Sequence, residues 1–202
     1  MPSRAGSDPE AGRKRAHPTW LYARLLGGAW TGLPAPLKSM HAVEGPITAV
    51  GKAKVERGQG LLSRLVALLA GFPPASDDVE VKVTIERRGD VEIWRRDFGG
   101  HVFQSTQETG RERRLLERFG PAAFPMVLNW DGKRLNLRLR GWRLFGLPMP
   151  AWTSPVSTAW ESVEGGRFRF FVQISHPMTG LIVRYQGWLE PIIFATGPAQ
   201  AT

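Results

Sequence analysis

Few residues in this chain of 202 could do chemistry, and their spacing excludes more than it assigns. The four histidines, His17, His41, His101 and His176, are scattered without metal-type spacing, and there is no cysteine. Thiol catalysis, disulfide frameworks and cysteine-ligated metal sites are therefore excluded together. No Walker loop, G-x-S-x-G, H-E-x-x-H or calcium loop occurs. No cofactor, metal or catalytic set is assigned.

Three polar residues remain. His176 stands in a Ser-His-Pro connection beside the strand carrying Arg184. As a general base it would need a nucleophile or substrate proton within hydrogen-bond reach; the plainer role is to cap a loop. If Ile182, Arg184, Gln186 and Trp188 point inward, a cavity there gains a fixed positive charge that can take a carboxylate bidentately, and an indole donor. The opposite face, Leu181, Val183 and Tyr185, is equally apolar. Glu161 falls among apolar partners and is a rim residue, a counter-charge to Arg184 or a functional group. Candidate ligand contacts are Glu161, Phe170, His176, Arg184, Tyr185 and Trp188.

These residues sit on strands. Phe168, Phe170, Val172 and Ile174 alternate with Arg167, Arg169, Phe171 and Gln173, the period of a strand with one buried face. A turn at Gly165-Gly166 puts Val163 opposite Phe168, Glu161 opposite Phe170 and Ala159 opposite Val172. Upstream, an Asp131-Gly132 turn would place Trp130 opposite Lys133, Leu128 opposite Leu135 and Met126 opposite Leu137. Val79 to Glu86, Val91 to Phe98 and His101 to Gln107 read as further strands, and Ile47 to Glu56 as the first. The fold expected is mainly β: an antiparallel meander barrel or strongly curved sheet of roughly ten strands, calycin-like, with two short helices near the N-terminus.

The two helices are Trp20 to Trp30 and Leu61 to Gly71, and Pro34 with Pro36 is expected to hold the intervening passage out of helix. The second helix, with Leu65 and Leu69, and the loop Gly141 to Pro155, with Trp142, Phe145, Leu147 and Met149, are read as a lid over the barrel mouth. Residues 1–18 read as a disordered basic tail, 19–192 as one β-rich domain and 193–202 as a flexible tail. No run approaches the roughly 20 apolar residues of a membrane helix. The net charge of +9 invites nucleic acid or an anionic membrane. Cytoplasm is the default location.

The segments LYARLLGGAW, RGQGLLSRLVALLAGFPPA, RRDFGGHVF, RFGP, GWRLFGLPMP and SHPMTGLIVRYQGWLEP resemble the bacterial family called domain of unknown function 4166, across Trp20 to Pro191. The resemblance implies relatives that occur alone or behind a nucleotide-binding, dehydrogenase-like domain. It brings no activity and no catalytic residues, and this chain has no glycine-rich dinucleotide fingerprint.

The first functional reading is a barrel holding a small apolar or amphipathic ligand, without defined catalysis. An interaction module for a dehydrogenase-like partner comes second. Nucleic-acid binding through Arg134, Arg138 and Arg140 comes last, because on alternation these arginines lack interleaved aromatics on their own face. An enzyme using Glu161, His176 and Arg184 on an apolar substrate stays open, with no reaction named.

Overall fold

Alternating apolar residues, broken by glycine turns, build one antiparallel sheet that closes on itself. The computed structural model describes residues 20–192; the two expected tails lie outside them. The strands are β1 Ile47–Arg57, β2 Ser76–Arg88, β3 Val91–Phe98, β4 His101–Thr109, β5 Leu115–Phe119, β6 Ala122–Trp130, β7 Arg134–Leu139, β8 Arg143–Leu144, β9 Leu147–Pro148, β10 Val156–Glu164, β11 Arg167–His176 and β12 Gly180–Ile192. Ten of them form the barrel wall, because β1 pairs with β12 and β5 pairs with β6; β8 and β9 are a small hairpin hung on β6. The expected barrel is therefore present, and it is closed.

Closure at the seam between β1 and β12 depends on two glycines. A Cβ on Gly51 would lie 1.9 Å from the Trp188 carbonyl oxygen, and one on Gly187 would lie 2.1 Å from the Lys52 carbonyl oxygen. Only a residue without a side chain lets the strands approach so closely.

The β10–β11 register is the one read from sequence: Val163 faces Phe168, Glu161 faces Phe170 and Ala159 faces Val172. The β6–β7 register is displaced by two residues, with Trp130 opposite Leu135, Leu128 opposite Leu137 and Met126 opposite Leu139. The cause is local. The Asp131 carboxylate accepts from the backbone N–H groups of Lys133 and Arg134 at 2.9 and 2.7 Å and from the Asn136 amide at 2.9 Å, which lengthens the turn. An even displacement keeps every side chain on its face, so the core is unaffected.

Among the described residues three α-helices complete the fold: α1 Leu21–Leu26, α2 Ala35–His41 and α3 Leu61–Leu69. Helix α2 corrects the expectation that Pro34 and Pro36 exclude a helix. They occupy its N-cap and first turn, where a missing N–H costs nothing. Helices α1 and α2 plug one end of the barrel with Leu21, Tyr22, Leu37, Met40 and His41, all buried. At that end lie the β2–β3, β4–β5, β6–β7 and β10–β11 turns; Arg24 reaches Asp90 in the first, and the Arg113 guanidinium donates to the Arg24 carbonyl at 2.6 Å.

Helix α3 leaves β1 at the opposite end. It rests on β12 through its small residues Ser63 and Ala67 and turns its leucines outward. The chain then folds back through Phe72 and Pro73. The Arg57 guanidinium donates to their carbonyls at 2.9 and 2.8 Å, and the His101 ring donates to the Gly71 carbonyl at 2.8 Å.

Candidate functional site

The alternation of β12 decides where its polar residues go. Val55 pairs with Tyr185 and Arg57 with Val183, so Val183, Tyr185 and Leu189 face the lumen and Arg184, Gln186 and Trp188 face out. This corrects the placement of Arg184 and Trp188 as lumen residues. Outside, the Arg184 guanidinium donates to Glu56 at 2.6 Å and to Gln173 at 2.8 Å. Its counter-charge is therefore not Glu161.

Glu161 does point inward, and its partner comes from the plug. The His41 ring donates through Nε2 to Glu161 Oε2 at 2.6 Å, and His41 stacks on Tyr22 with centroids 3.7 Å apart. His176 caps its own turn, accepting from the Met178 N–H at 3.2 Å and donating to the Trp152 carbonyl at 3.1 Å. Glu161, His176 and Arg184 thus occupy the lumen, the rim and the outer surface, and no catalytic set forms from them.

A polar network that sequence reasoning did not assemble crosses the lumen. The Tyr22 hydroxyl donates to Gln107 at 3.0 Å, and one Glu117 oxygen accepts from Gln107 at 3.2 Å, Ser105 at 2.6 Å and Arg96 at 3.0 Å. Arg96 lies 5.2 Å over Trp94, whose indole donates to Glu92 at 3.2 Å. Burial lifts the Glu92 carboxyl above its usual range, against the pull of nearby His41 and the Trp94 bond. Burial likewise lifts the Tyr22 hydroxyl, with Glu161 and Glu92 adding to it, and pushes Tyr185 up to about 12. Most of these groups satisfy one another, so the network's first role is to lock plug to wall. Two atoms do not: His41 Nδ1 and Glu92 Oε1 are buried without partners. The readable signal was on β3, where Glu92 and Arg96 share the inward face with Trp94 and Phe98.

The lumen is covered unevenly. Around the plug, Ile85, Trp94, Leu115, Leu135, Phe168 and Leu189 are almost completely buried, and toward the other end so are Val55, Val81, Phe98 and Val183. The partly covered inward side chains Phe103, Leu128, Leu139, Phe170, Val172 and Ile174 lie on β4, β6, β7 and β11. At the boundary, the Arg96 and Glu117 side chains retain 14% and 12% exposure. That partly covered wall, with Arg96 and Glu117 beside it, is the candidate cup. Phe170 lies on this wall, and Tyr185, paired with Val172, is buried beside it against Phe98 and Phe170.

The lid residues divide. Trp142 packs parallel to Phe124, its indole donating to Thr153 Oγ1 at 3.1 Å, and Met149 is half-buried. Leu65, Leu69, Phe145 and Leu147 are instead exposed.

On the outer face of β1, β12, β11 and β10 runs an open groove of about 990 Å³ lined by Lys52, Lys54, Trp188, Arg169, Trp160 and Arg134. Arg134 lies 4.2 Å over Trp160, which stacks on Phe171 at 5.3 Å, and Arg167 lies 4.5 Å over Trp188. Arginines and aromatics are thus interleaved after all; strand pairing, not neighbours in sequence, brings them together. Carboxylates already occupy many of these cations: Lys52 pairs with Asp78, Lys54 with Asp77, Arg169 with Glu164 and Arg167 with Glu190. That leaves little free charge for a phosphate backbone.

The barrel with its plugged and open halves defines a closed antiparallel β-barrel domain. The chain belongs to the family described as domain of unknown function (DUF4166), whose model matches residues 33–189. No curated protein matches it. Among solved structures it is similar to a zebrafish ileal bile-acid-binding protein complexed with cholic acid (12% identity, 71% of this chain and 95% of that one, TM-score 0.35). It is also similar to the REP1-NXSQ fatty acid transporter (12%, 74% and 96%, 0.33) and to a mutant of the fluorescent protein UnaG (14%, 75% and 96%, 0.31). At these scores the likeness carries no functional weight.

Proposed function

We propose that the open half of the barrel holds a small amphipathic molecule, its apolar body against Phe103, Leu128, Leu139, Phe170, Val172 and Ile174 and its polar end toward Arg96 and Glu117. One observation carries the reading: inward-facing apolar side chains of β4, β6, β7 and β11 remain only partly covered inside a closed wall. Burying such surfaces drives binding, and a few convergent polar groups fix orientation. The Arg96 guanidinium is paired with Glu117 at 3.0 Å, so this end offers hydrogen-bonding groups to a polar head, a carboxylate included, and no unpaired charge. No reaction is assigned, because Glu161 and His41 are spent on each other. The dehydrogenase-like partner suggested by the family resemblance finds no support in the comparisons.

Native mass spectrometry of the purified chain, followed by displacement of a fluorescent long-chain carboxylate, tests the cup. Ala159 faces Val172 across the wall, so Ala159→Phe should fill the space and weaken probe binding about tenfold or more, by overpacking. Unchanged affinity in a folded Ala159→Phe variant would place the probe elsewhere and end the proposal.

A further inference from the structure

The two ends of the barrel differ in a way the cup does not require. Of the thirteen large apolar side chains that stand exposed among the described residues, eleven lie on the open end. On α3 they include Leu61, Leu65, Leu68 and Leu69, between 51% and 85% exposed. On the β8–β9 hairpin and the short turn after it they include Phe145, Leu147 and Trp152, and on the β11–β12 turn Met178.

These elements are neighbours along the rim. Helix α3 rests on β12, the Met178 turn joins β11 to β12, the His176 ring ties that turn to Trp152, and the hairpin hangs on β6 beyond β7 and β10. The apolar tips therefore run along more than half of the mouth. Soluble surfaces scatter such residues singly, and a contiguous set needs a partner.

Charge indicates which partner. The segments that join strands at this end, residues 58–75, 99–100, 120–121, 140–155 and 177–179, contain Arg64, Arg140 and Arg143 and no aspartate or glutamate, in a chain with 18 acids. The plugged end carries Glu44, Asp90, Glu112 and Asp131 among Arg24, Lys38, Arg111, Arg113, Arg114 and Lys133. The carboxylates nearest the open end, Asp77 and Asp78 at the start of β2 and Asp97 near the end of β3, are held by Lys54, Lys52 and the Gly100 N–H. Protruding leucines and aromatics backed by arginines therefore match an anionic lipid surface: the tips enter the acyl boundary while the guanidinium groups meet phosphates. A flat partner protein would need no such irregular set of helix, hairpin and turn.

We infer that the open end docks on the surface of an anionic phospholipid bilayer, with α3 and the Phe145 hairpin as its two insertion points and Arg140 and Arg143 as phosphate contacts. The mouth of the cup would then face the lipid, although docking stands whether or not the cup takes a ligand.

Sedimentation of the full chain with vesicles of phosphatidylcholine alone, or mixed with phosphatidylglycerol, tests this. Binding is expected to the anionic vesicles and to weaken with salt. The basic residues of the first eighteen could bind such vesicles unaided, so the deciding variants leave charge unchanged. Leu65→Ser with Leu69→Ser, and separately Phe145→Ser with Trp152→Ser, should each lower partitioning about tenfold or more, since each removes two exposed apolar groups. Circular dichroism should show both variants folded, because none of these side chains belongs to the core. Partitioning unchanged in both variants would overturn the inference, as would a lack of binding to either vesicle. A self-associating chain that these substitutions render monomeric would also overturn it, by showing that a second copy covers the patch.

Discussion

At the scale of single residues, the lumen is held by groups that would be costly alone. Removing the His41 ring takes away the hydrogen bond to the Glu161 carboxylate and the stack on Tyr22. We therefore expect His41→Ala to cost about 3 kcal/mol, from an unpartnered buried acceptor and a cavity together, in denaturant unfolding. Glu92 works in the other direction. Its folded carboxyl titrates above the unfolded one, so the folded chain keeps a proton that the unfolded chain has released. Its contribution is complete below the unfolded value and is lost as pH rises through the folded one. Glu92→Gln should consequently be stabilising at neutral pH, with the advantage shrinking as pH falls through the carboxylate range; an advantage that grows in acid would refute the assignment. His41 is not legible in the sequence as part of a site, and Glu92 only through its place on the inward alternation of β3. Glu161's direction is legible, because its hairpin has a glycine turn and an unambiguous alternation. His41 lies in a proline-flanked segment that does not read as a helix, and it is 120 positions from its partner.

Among the elements, turns and seams decide what hydrophobic alternation leaves free. Alternation finds nearly every wall strand and the correct face of β6, β7, β10 and β11, since a period of two survives any even displacement. It does not settle β12, where both faces are apolar, and so Arg184 is assigned to the wrong side. The neighbour does settle it: Ala49, Ala53 and Val55 on β1 are buried while Lys52 and Lys54 are exposed, and pairing passes that choice to β12. Nor does sequence show that Gly187 is required. Gly187→Ala would drive a methyl into the Lys52 carbonyl, and an unfolding experiment should find it destabilised by about 3 kcal/mol or more, with β1 and β12 amides losing exchange protection first. Asp131→Ala should cost about 1–2 kcal/mol without changing the fold, because it removes a side-chain acceptor of two turn amides.

The whole molecule is a tube stoppered at one end, and stability should follow that division. Met40 is fully buried in the plug, so Met40→Ala should cost about 2–5 kcal/mol, with increased hydrogen exchange concentrated in the plugged half. Equal loosening at the open rim would show the two halves to be one cooperative unit. The global shape is legible in composition and turn spacing. The stopper is not, since it depends on α1 and α2 entering a space that only exists once the wall has closed.

Closing the wall with an even number of strands has one more consequence. A ring of ten antiparallel strands returns the chain to the pole from which it set out: Thr48 and Ile192 are paired neighbours there, and Trp20 precedes the helix that stoppers it. A fluorophore at Val50 or Glu190, both exposed toward this pole, would sit most of a strand length from the greasy rim and leave the mouth free.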